Sequence, residues 1–394
     1  MTELEITAEQ REALKQVFGW LGSETKDPFV LGGYAGTGKS TLIAVIRLIL
    51  KKKRPEWKVA FASFTGKATR VLQTKLREQE ALIAKDRVST LHSFLYAPIM
   101  GSNGHIDGWM RKTKFPYQLL IVDEASMITS DIWRDIELTG IPVLAVGDHG
   151  QLPPINSSFQ LMAEPNFRLE NIHRQAAESP ILEVARLARE TGAIPVKKFS
   201  DQVVKYDSQT NEAQVMISDF FQTYQDDTLF LTGFNNSRVQ INASIRAAKW
   251  RNPDMPESGD HVVCLKNDWE LGIYNGMTGT LQNVQVAKKE GNETISYEAE
   301  VIDELGNVIY SGLMMAAQFQ HPTTLKVTRQ QQREIGQLFD YGYALTVHKA
   351  QGSQARKTIV IEERSKHMDD EQWRRWLYTA VTRAEEELYI FGAQ

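Results

Sequence analysis

Polar and apolar positions divide the chain into recognisable elements. In "ITAEQREALKQVFGWL" the apolar residues recur at helical spacing, and Thr7 is followed three residues later by Gln10. That Thr-x-x-Gln pattern is a capping box and predicts the start of a first helix. "PFVLGGYAG" reads as a short buried strand running into a glycine loop, and "KSTLIAVIRLILKKKR" as a long apolar helix. The basic run Lys51–Arg54 falls at the solvated end of that helix, where the helix dipole favours positive charge. "WKVAFASFT" predicts another strand, and "VSTLHSFLY" opens a further segment. "YQLLIVDEAS" is a continuous apolar run ending in acids, the pattern of a strand buried on both faces of a parallel sheet. "IPVLAVGDHGQLPPI" repeats that design, with a polar loop at the strand's carboxyl end.

Strands alternating with helices, each strand followed by polar residues, predict an open parallel α/β sheet that binds ligands at its carboxyl edge. A second set of this kind appears at "TLFLTGFNNSRVQINASIRAAKW", "YALTVHKAQGSQ", "KTIVIEE" and "ELYIFGAQ". Between the two parts of this set, residues 259–339 change texture. Asn-Gly, Thr-Gly and Gly-Asn turns separate short alternating strands there, predicting a small antiparallel barrel inserted into the second sheet. Residues 95–116 similarly read as a hairpin inserted into the first. The expected organisation is a first ATPase-type domain from 1–94 and 117–175, and a second from 176–258 and 340–394.

Composition narrows the function classes. With 394 residues and 42% apolar content, the chain has room for two or three packed domains. There is no charged-then-apolar leader and no long uncharged apolar run, so an intracellular, cytoplasmic protein is expected. One cysteine, Cys264, excludes an internal disulfide and a cysteine metal cluster. A net charge of −4 argues against a nucleic-acid packaging protein but leaves room for a local basic groove.

The densest chemistry lies at Gly33–Ser40, which read G-x-x-x-x-G-K-S after a predicted strand and before a predicted helix: a P-loop. Backbone N–H groups can wrap phosphates only where side chains do not intrude, hence Gly33, Gly36 and Gly38. Lys39 is expected to contact the β- and γ-phosphates of a nucleoside triphosphate, and Ser40 to ligate Mg²⁺. Asp123 and Glu124 end an apolar strand. Two adjacent acids supply one carboxylate for magnesium, Asp123, and one to polarise the attacking water, Glu124. Gln151 follows the next strand and offers a neutral amide to orient water, on a loop stiffened by Pro153 and Pro154. Arg174 and Arg383 are candidate arginine fingers, because a guanidinium donates two parallel hydrogen bonds to a phosphate. A second class of hydroxyls, imidazoles and lysines sits near strand ends: Thr65, Lys67, Thr90, His92, Thr346, His348 and Lys349. These suit phosphate and sugar contacts along a single strand. Trp109, Phe115, Trp269 and Tyr274 are able to stack on bases, although core packing is the commoner use of such residues.

The order of these motifs is similar to that of superfamily 1 helicases. "ITAEQ", "GYAGTGKST", "SFTGKAT", "STLHSF", "VDEAS", "GDHGQLPPI", "NIHRQ", "ALTVHKAQGSQ" and "LYTAVTRAEEEL" cover nearly the whole chain. "GDHGQLPPI" and "ALTVHKAQGSQ" most resemble the superfamily 1B branch, the RecD-like and phage Dda-like enzymes. The resemblance implies two RecA-like domains and ATP-driven 5′-to-3′ movement on single-stranded DNA with unwinding of 5′-tailed duplexes. It implies that Gln10 reads the adenine edge and that Gly36, Thr37, Gly38, Lys39, Ser40 and Thr41 hold phosphates and Mg²⁺. Gly352 joins the nucleotide-binding set; Arg174 and Arg383 meet the γ-phosphate from opposite walls. Thr65, Lys67, His92, Thr346, His348 and Lys349 line the DNA track, and Thr90 belongs with them. The first insertion becomes a strand-separating pin and the second a Src-homology-3-like clamp. A monomer is expected, off the membrane and working with replication or recombination proteins. The chain begins almost at "ITAEQ", so the large N-terminal domain of longer RecD-like proteins is not expected. The rivals are a translocase that strips proteins or works on RNA, and a nucleotide-gated DNA-binding module without turnover.

Overall fold

The structure, a computed structural model, describes residues 6–23, 25, 27–100, 106–154, 159–171, 179–268, 270–303 and 306–393. Arg174 and Trp269 lie outside the described residues. The chain order begins α1 (Ala8–Gly22), β1 (Phe29–Gly33), α2 (Lys39–Lys53), β2 (Val59–Ser63), α3 (Gly66–Glu78), β3 (Arg87–Thr90) and α4 (Leu91–Leu95). It continues β4 (Tyr96–Met100), β5 (Ile106–Arg111), β6 (Leu119–Asp123), α5 (Ser130–Glu137), β7 (Val143–Gly147) and β8 (Phe167–Leu169). Thr7 caps α1 as its sequence predicts: its hydroxyl takes the Gln10 amide while the Gln10 side chain takes the Thr7 amide.

Six strands form the first parallel sheet, in the order β3-β2-β6-β7-β1-β8. β1, β2, β6 and β7 are buried along their whole length, as their unbroken apolar runs require. One face packs on α1, α2 and α3 through residues such as Val17, Ile46 and Leu76, and the other on Phe94, Trp133 and Ile136. β4 and β5 pair antiparallel as a two-stranded ribbon.

The second half holds α6 (Pro180–Thr191), β9 (Val203–Asp207), α7 (Asn211–Gln222), β10 (Thr228–Thr232) and α8 (Asn235–Ala248). After these come β11 (His261–Cys264), β12 (Thr278–Glu290), β13 (Glu293–Ile302), β14 (Val308–Met315), α9 (Arg329–Glu334) and β15 (Phe339–Tyr341). The chain closes with β16 (Ala344–Thr346), β17 (Ala355–Ile361), α10 (Asp370–Val381) and β18 (Ala384–Gly392). The second sheet is parallel throughout, in the order β16-β10-β17-β18-β9. Its strand β9 and helices α6 and α7 were not anticipated. β9 mixes Lys205 and Asp207 into a short apolar run, while α6 and α7 do carry start signals, Ser179–Pro180 and a capping Thr210, in segments where no strand pattern drew attention to them.

β11 to β15 form a separate antiparallel sheet in the order β14-β13-β12-β11-β15. Just before β15, the Gln337 amide donates to the Leu313 carbonyl (2.7 Å) and the Met315 amide donates to the Gln337 carbonyl (3.0 Å). These bonds tie the far end of the sheet back to β14. Helix α8 fastens this insertion to the second lobe through three buried polar residues spaced four apart, Arg238, Asn242 and Arg246. Arg238 pairs with Asp340 (2.7 Å) and Arg246 with Asp260 (3.1 Å), where the chain leaves and enters the insertion. Asn242 takes the Ala344 amide (2.7 Å) and donates to the Tyr341 carbonyl (2.9 Å). Among the described residues no helix is long and apolar enough to cross a membrane.

Candidate nucleotide site between two lobes

The strand order puts the P-loop, the paired acids and the Gln151 loop side by side, because β1, β7 and β6 are neighbours. β2 and β3 follow on the same side, so Thr65 and Thr90 extend the row away from the P-loop.

In the P-loop, Gly36 and Gly38 both have φ of 79°, a left-handed conformation that other residues adopt only with strain. A Cβ on Gly33 would lie 2.8 Å from the Thr37 hydroxyl and 3.1 Å from Lys39 Cγ, so the bend closes only without one. Lys39 opens α2 and donates its ammonium to the Gly33 carbonyl (2.7 Å) and the Tyr34 carbonyl (3.0 Å). Ser40 and Thr41 occupy the same first turn, at the positive end of a 15-residue helix. Gln10 is buried; its carboxamide donates to the Thr37 carbonyl (3.0 Å) and accepts from the Thr7 amide (3.0 Å). That side chain therefore braces the P-loop from α1.

Asp123 ends β6 almost fully buried, and its carboxylate takes the Glu124 amide (3.0 Å). Burial, and next the Glu124 charge, push its pKa up to about 6, with Lys39 opposing them. Glu124 itself has φ of 55°, a strained backbone state for a residue with a side chain. The left-handed residue turns the chain sharply at the strand end.

After β7, Asp148 organises the loop: its Oδ1 takes the Gly150 amide (2.9 Å) and its Oδ2 takes the Gln151 side-chain amide at a long 3.4 Å. Gln151 is buried, and its Oε1 has no partner among the described residues. A buried acceptor without a partner costs free energy unless a water or ligand meets it.

Arg383 follows α10 and is 2% exposed. It donates to the Thr379 carbonyl (3.0 Å), the Ser353 carbonyl (3.2 Å) and the Thr382 hydroxyl (3.2 Å). Among the described residues no carboxylate lies within ion-pair distance of Arg383 or of Lys39. Lys39 on the first lobe and Arg383 on the second are thus cations without a carboxylate partner among the described residues, and Arg383 is almost fully desolvated. Such a charge is costly to bury unless an anion comes to it.

The DNA-track candidates are distributed unevenly. Thr65 caps α3 and donates to the Gly352 carbonyl (3.2 Å), while Lys67 donates to the Gln354 carbonyl (2.6 Å) and faces Glu385 (3.6 Å). Both side chains therefore tie the first lobe to the second. Gly352 has φ of 72°, and a Cβ there would meet Met127 Sδ at 2.5 Å, so this glycine sits at the lobe contact itself. Thr90 caps α4. His92 stands edge-on to Trp109 (4.5 Å), and burial with the nearby Lys112 charge pulls its pKa down to about 4. Trp109 in turn packs on Gly272, where a Cβ would lie 2.5 Å from its Nε1. Tyr274 packs edge-on against Phe64 and Phe115 against Phe94, the core use of these aromatics. In the second lobe Thr346 ends β16, and burial lowers the pKa of His348 and brings that of Lys349 down to about 8.

Sequence reasoning missed the residues that join the lobes. Tyr378 of α10 accepts from the Ala35 amide in the P-loop (2.7 Å) and donates to Asp148 Oδ2 (2.7 Å). Arg189 of α6 lies over the Tyr34 ring at 3.8 Å. Thr379 takes the Leu152 amide (2.9 Å), and Gln351 donates to the Leu152 carbonyl. Tyr378 and Thr379 stand inside the quoted "LYTAVTRAEEEL", where a buried tyrosine five residues before Arg383 was the available signal.

Known proteins resemble this chain over most of its length. The AAA domain family matches residues 5–205, more than half of the chain, and the UvrD-like helicase C-terminal domain matches residues 341–391. The chain belongs to the AAA domain family, in the RecD-like branch of superfamily 1B helicases. It is 28% identical over 389 residues to the ATP-dependent RecD2 DNA helicase of Deinococcus radiodurans, covering 92% of this chain and 47% of that protein. It is 22% identical over 414 residues to the RecBCD enzyme subunit RecD of Mycolicibacterium smegmatis, covering 93% and 68% respectively. This RecD-like chain therefore spans about half the length of the first of these relatives. Among solved structures, one of Pif1 helicases on forked double-stranded DNA shares the fold, with a TM-score of 0.50 at 18% identity, covering 98% of this chain and 92% of the other.

Proposed function

We propose that this chain is an ATP hydrolase that couples closure of its two lobes to 5′-to-3′ movement on single-stranded DNA, and so unwinds 5′-tailed duplexes. The observation that carries the reading is a glycine cradle holding Lys39 on one lobe and a buried Arg383 on the other, both without a carboxylate partner among the described residues. A triphosphate is the ligand class that satisfies both. Relatives named as DNA helicases support the same activity.

In this mechanism Lys39 exchanges the Gly33 and Tyr34 carbonyls for phosphate oxygens, helped by the N-terminus of α2 and by Gly36, Thr37, Gly38 and Thr41. Ser40 and Asp123 are the residues that would hold Mg²⁺, which when bound neutralises charge on the phosphate oxygens. Asp123 fits that role because a cation relieves the burial and the Glu124 repulsion that raise its pKa. Glu124 takes the proton of the attacking water, and the unpartnered Oε1 of Gln151 holds that water in place. Arg383, joined by Arg174, stabilises the charge that develops on the transferred phosphoryl group. Loss of that charge after hydrolysis lets the lobes part.

In the same reading, the domains follow the boundaries given above: 1–94 with 117–175, 176–258 with 340–394, the 95–116 hairpin as a strand-separating pin, and 259–339 as a Src-homology-3-like clamp. Thr65, Lys67, Thr90, His92, Thr346, His348 and Lys349 line the strand, Gln10 and Gly352 border the nucleotide, and the active form is a monomer inside the cell. Parting of the lobes frees Thr65 and Lys67 from Gly352 and Gln354 for the DNA backbone.

Two measurements decide the reading. Phosphate release should rise when single-stranded DNA is added, and a binding module without turnover would release none. Strand displacement should proceed on 5′-tailed and not on 3′-tailed duplexes. Turnover without displacement of either would favour a translocase that does not unwind.

A further inference from the structure

We propose that Tyr378 is a positioning residue through which the second lobe controls Gln151; the role rests on reading the site as an ATPase. A tyrosine hydroxyl has one proton to give. Here that proton goes to Asp148 Oδ2 (2.7 Å), and a lone pair takes the Ala35 amide of the P-loop (2.7 Å). Burial, then the Asp148 charge, keep the Tyr378 hydroxyl protonated by raising its pKa well above the usual value.

The same Oδ2 also receives the Gln151 side-chain amide, at 3.4 Å. Tyr378 holds the closer position, and Gln151 the weak one. Hydrogen bonds lose most of their strength near that length. With α10 against the P-loop, Asp148 is engaged by Tyr378 and the Gln151 carboxamide is only loosely held, its Oε1 without a partner. With α10 withdrawn, Oδ2 has only Gln151 to accept from, and the amide closes onto Asp148. Approach of the second lobe thus releases the water-orienting amide at the moment Arg383, on the chain following the same helix, arrives.

The second lobe also grips the neighbouring P-loop residue. Arg189 covers one side of the Tyr34 ring at 3.8 Å, and His149 packs at 4.2 Å. The Tyr34 carbonyl is an acceptor for Lys39, so this grip reaches the lysine directly. Gly150 makes the junction possible: a Cβ there would lie 2.8 Å from Tyr34 and 3.1 Å from Tyr378.

The test uses the full chain carrying Tyr378→Phe, Asp148→Asn or both, with ATP turnover measured with and without oligothymidylate. Tyr378→Phe should lower the ratio of stimulated to unstimulated turnover by about tenfold while the KM for ATP moves less than about threefold. Adding Tyr378→Phe to Asp148→Asn should lower the ratio little further, because the two act through one bond. If Tyr378→Phe does not fold, Asp148→Asn alone carries the test by the same criterion. A ratio unchanged from wild type, or both rates falling together alongside the unfolding midpoint, overturns the proposal and leaves the ATPase reading standing. Absence of ATP turnover in the wild-type chain overturns both.

Discussion

The two parallel sheets are built on one plan and differ at their carboxyl edges. In the first, β1, β7 and β6 deliver a phosphate cradle, a carboxylate-organised glutamine and two acids in adjacent positions. In the second, the equivalent edge is largely closed by its own side chains. Glu363 takes the Gly233 and Phe234 amides (2.9 and 3.0 Å), and Glu362, just after β17, reaches across β18 to pair with Lys205 in the middle of β9 (2.7 Å). What the second lobe offers is reach, with Tyr378, Thr379 and Arg189 all touching the first lobe. A shared scaffold thus says little about which copy performs chemistry; the residues after each strand decide it.

This asymmetry can be broken from its stronger side first. Lys39→Ala should cut DNA-stimulated ATP turnover by about a thousandfold or more, since it removes the ammonium at the P-loop. Near-normal phosphate release from that variant would remove the first sheet from the chemistry. Glu124→Gln should slow turnover by about a hundredfold or more while nucleotide still binds, because the amide keeps the shape and loses the base. Loss of nucleotide binding, read by a fluorescent analogue, would make Glu124 structural instead.

Asp123 supplies a stability test with a definite sign. Its folded pKa, about 6, lies above the ordinary 3.8, so the folded protein holds this proton more tightly than the unfolded chain does. Stability therefore falls as pH rises through the window between those values, and the deficit is complete at pH 7. Asp123→Asn should stabilise the nucleotide-free protein at pH 7 by an amount on the order of 2 kcal/mol, with the gain disappearing near pH 4. Chemical denaturation at the two pH values checks it, and equal effects at both would show that the carboxylate is not held back. The smallest effect belongs to the second sheet. Lys349→Met should leave nucleotide binding intact and reduce the salt slope of single-strand binding by about one unit. An unchanged slope would take Lys349 off the track.

Much of this first lobe was legible in the sequence because its signals are local. The P-loop, the acids closing "LLIVDE" and the Thr7–Gln10 cap each need only a few consecutive residues to declare themselves. The three-residue strand β8 escaped because it has no periodicity to detect. The roles of Gln10, Thr65 and Lys67 read differently once their partners are known. Those partners lie 27 residues away for Gln10 and 287 for the other two. Tyr378 meets Ala35 across 343 residues, a separation that no pattern in one chain reveals. Arg383 was singled out for its charge, whereas the tyrosine beside it on the same helix end carries the contact.

The polar face of α8 bears on how the molecule comes apart on heating. Two desolvated ion pairs and a bidentate asparagine hold the inserted sheet at the two points where its chain joins the second lobe. Melting either partner alone would strand charges in a low-dielectric interior, so neither gains by loosening first. Calorimetry should record the insertion and the second parallel sheet as one cooperative transition, with any separate endotherm belonging to the first lobe.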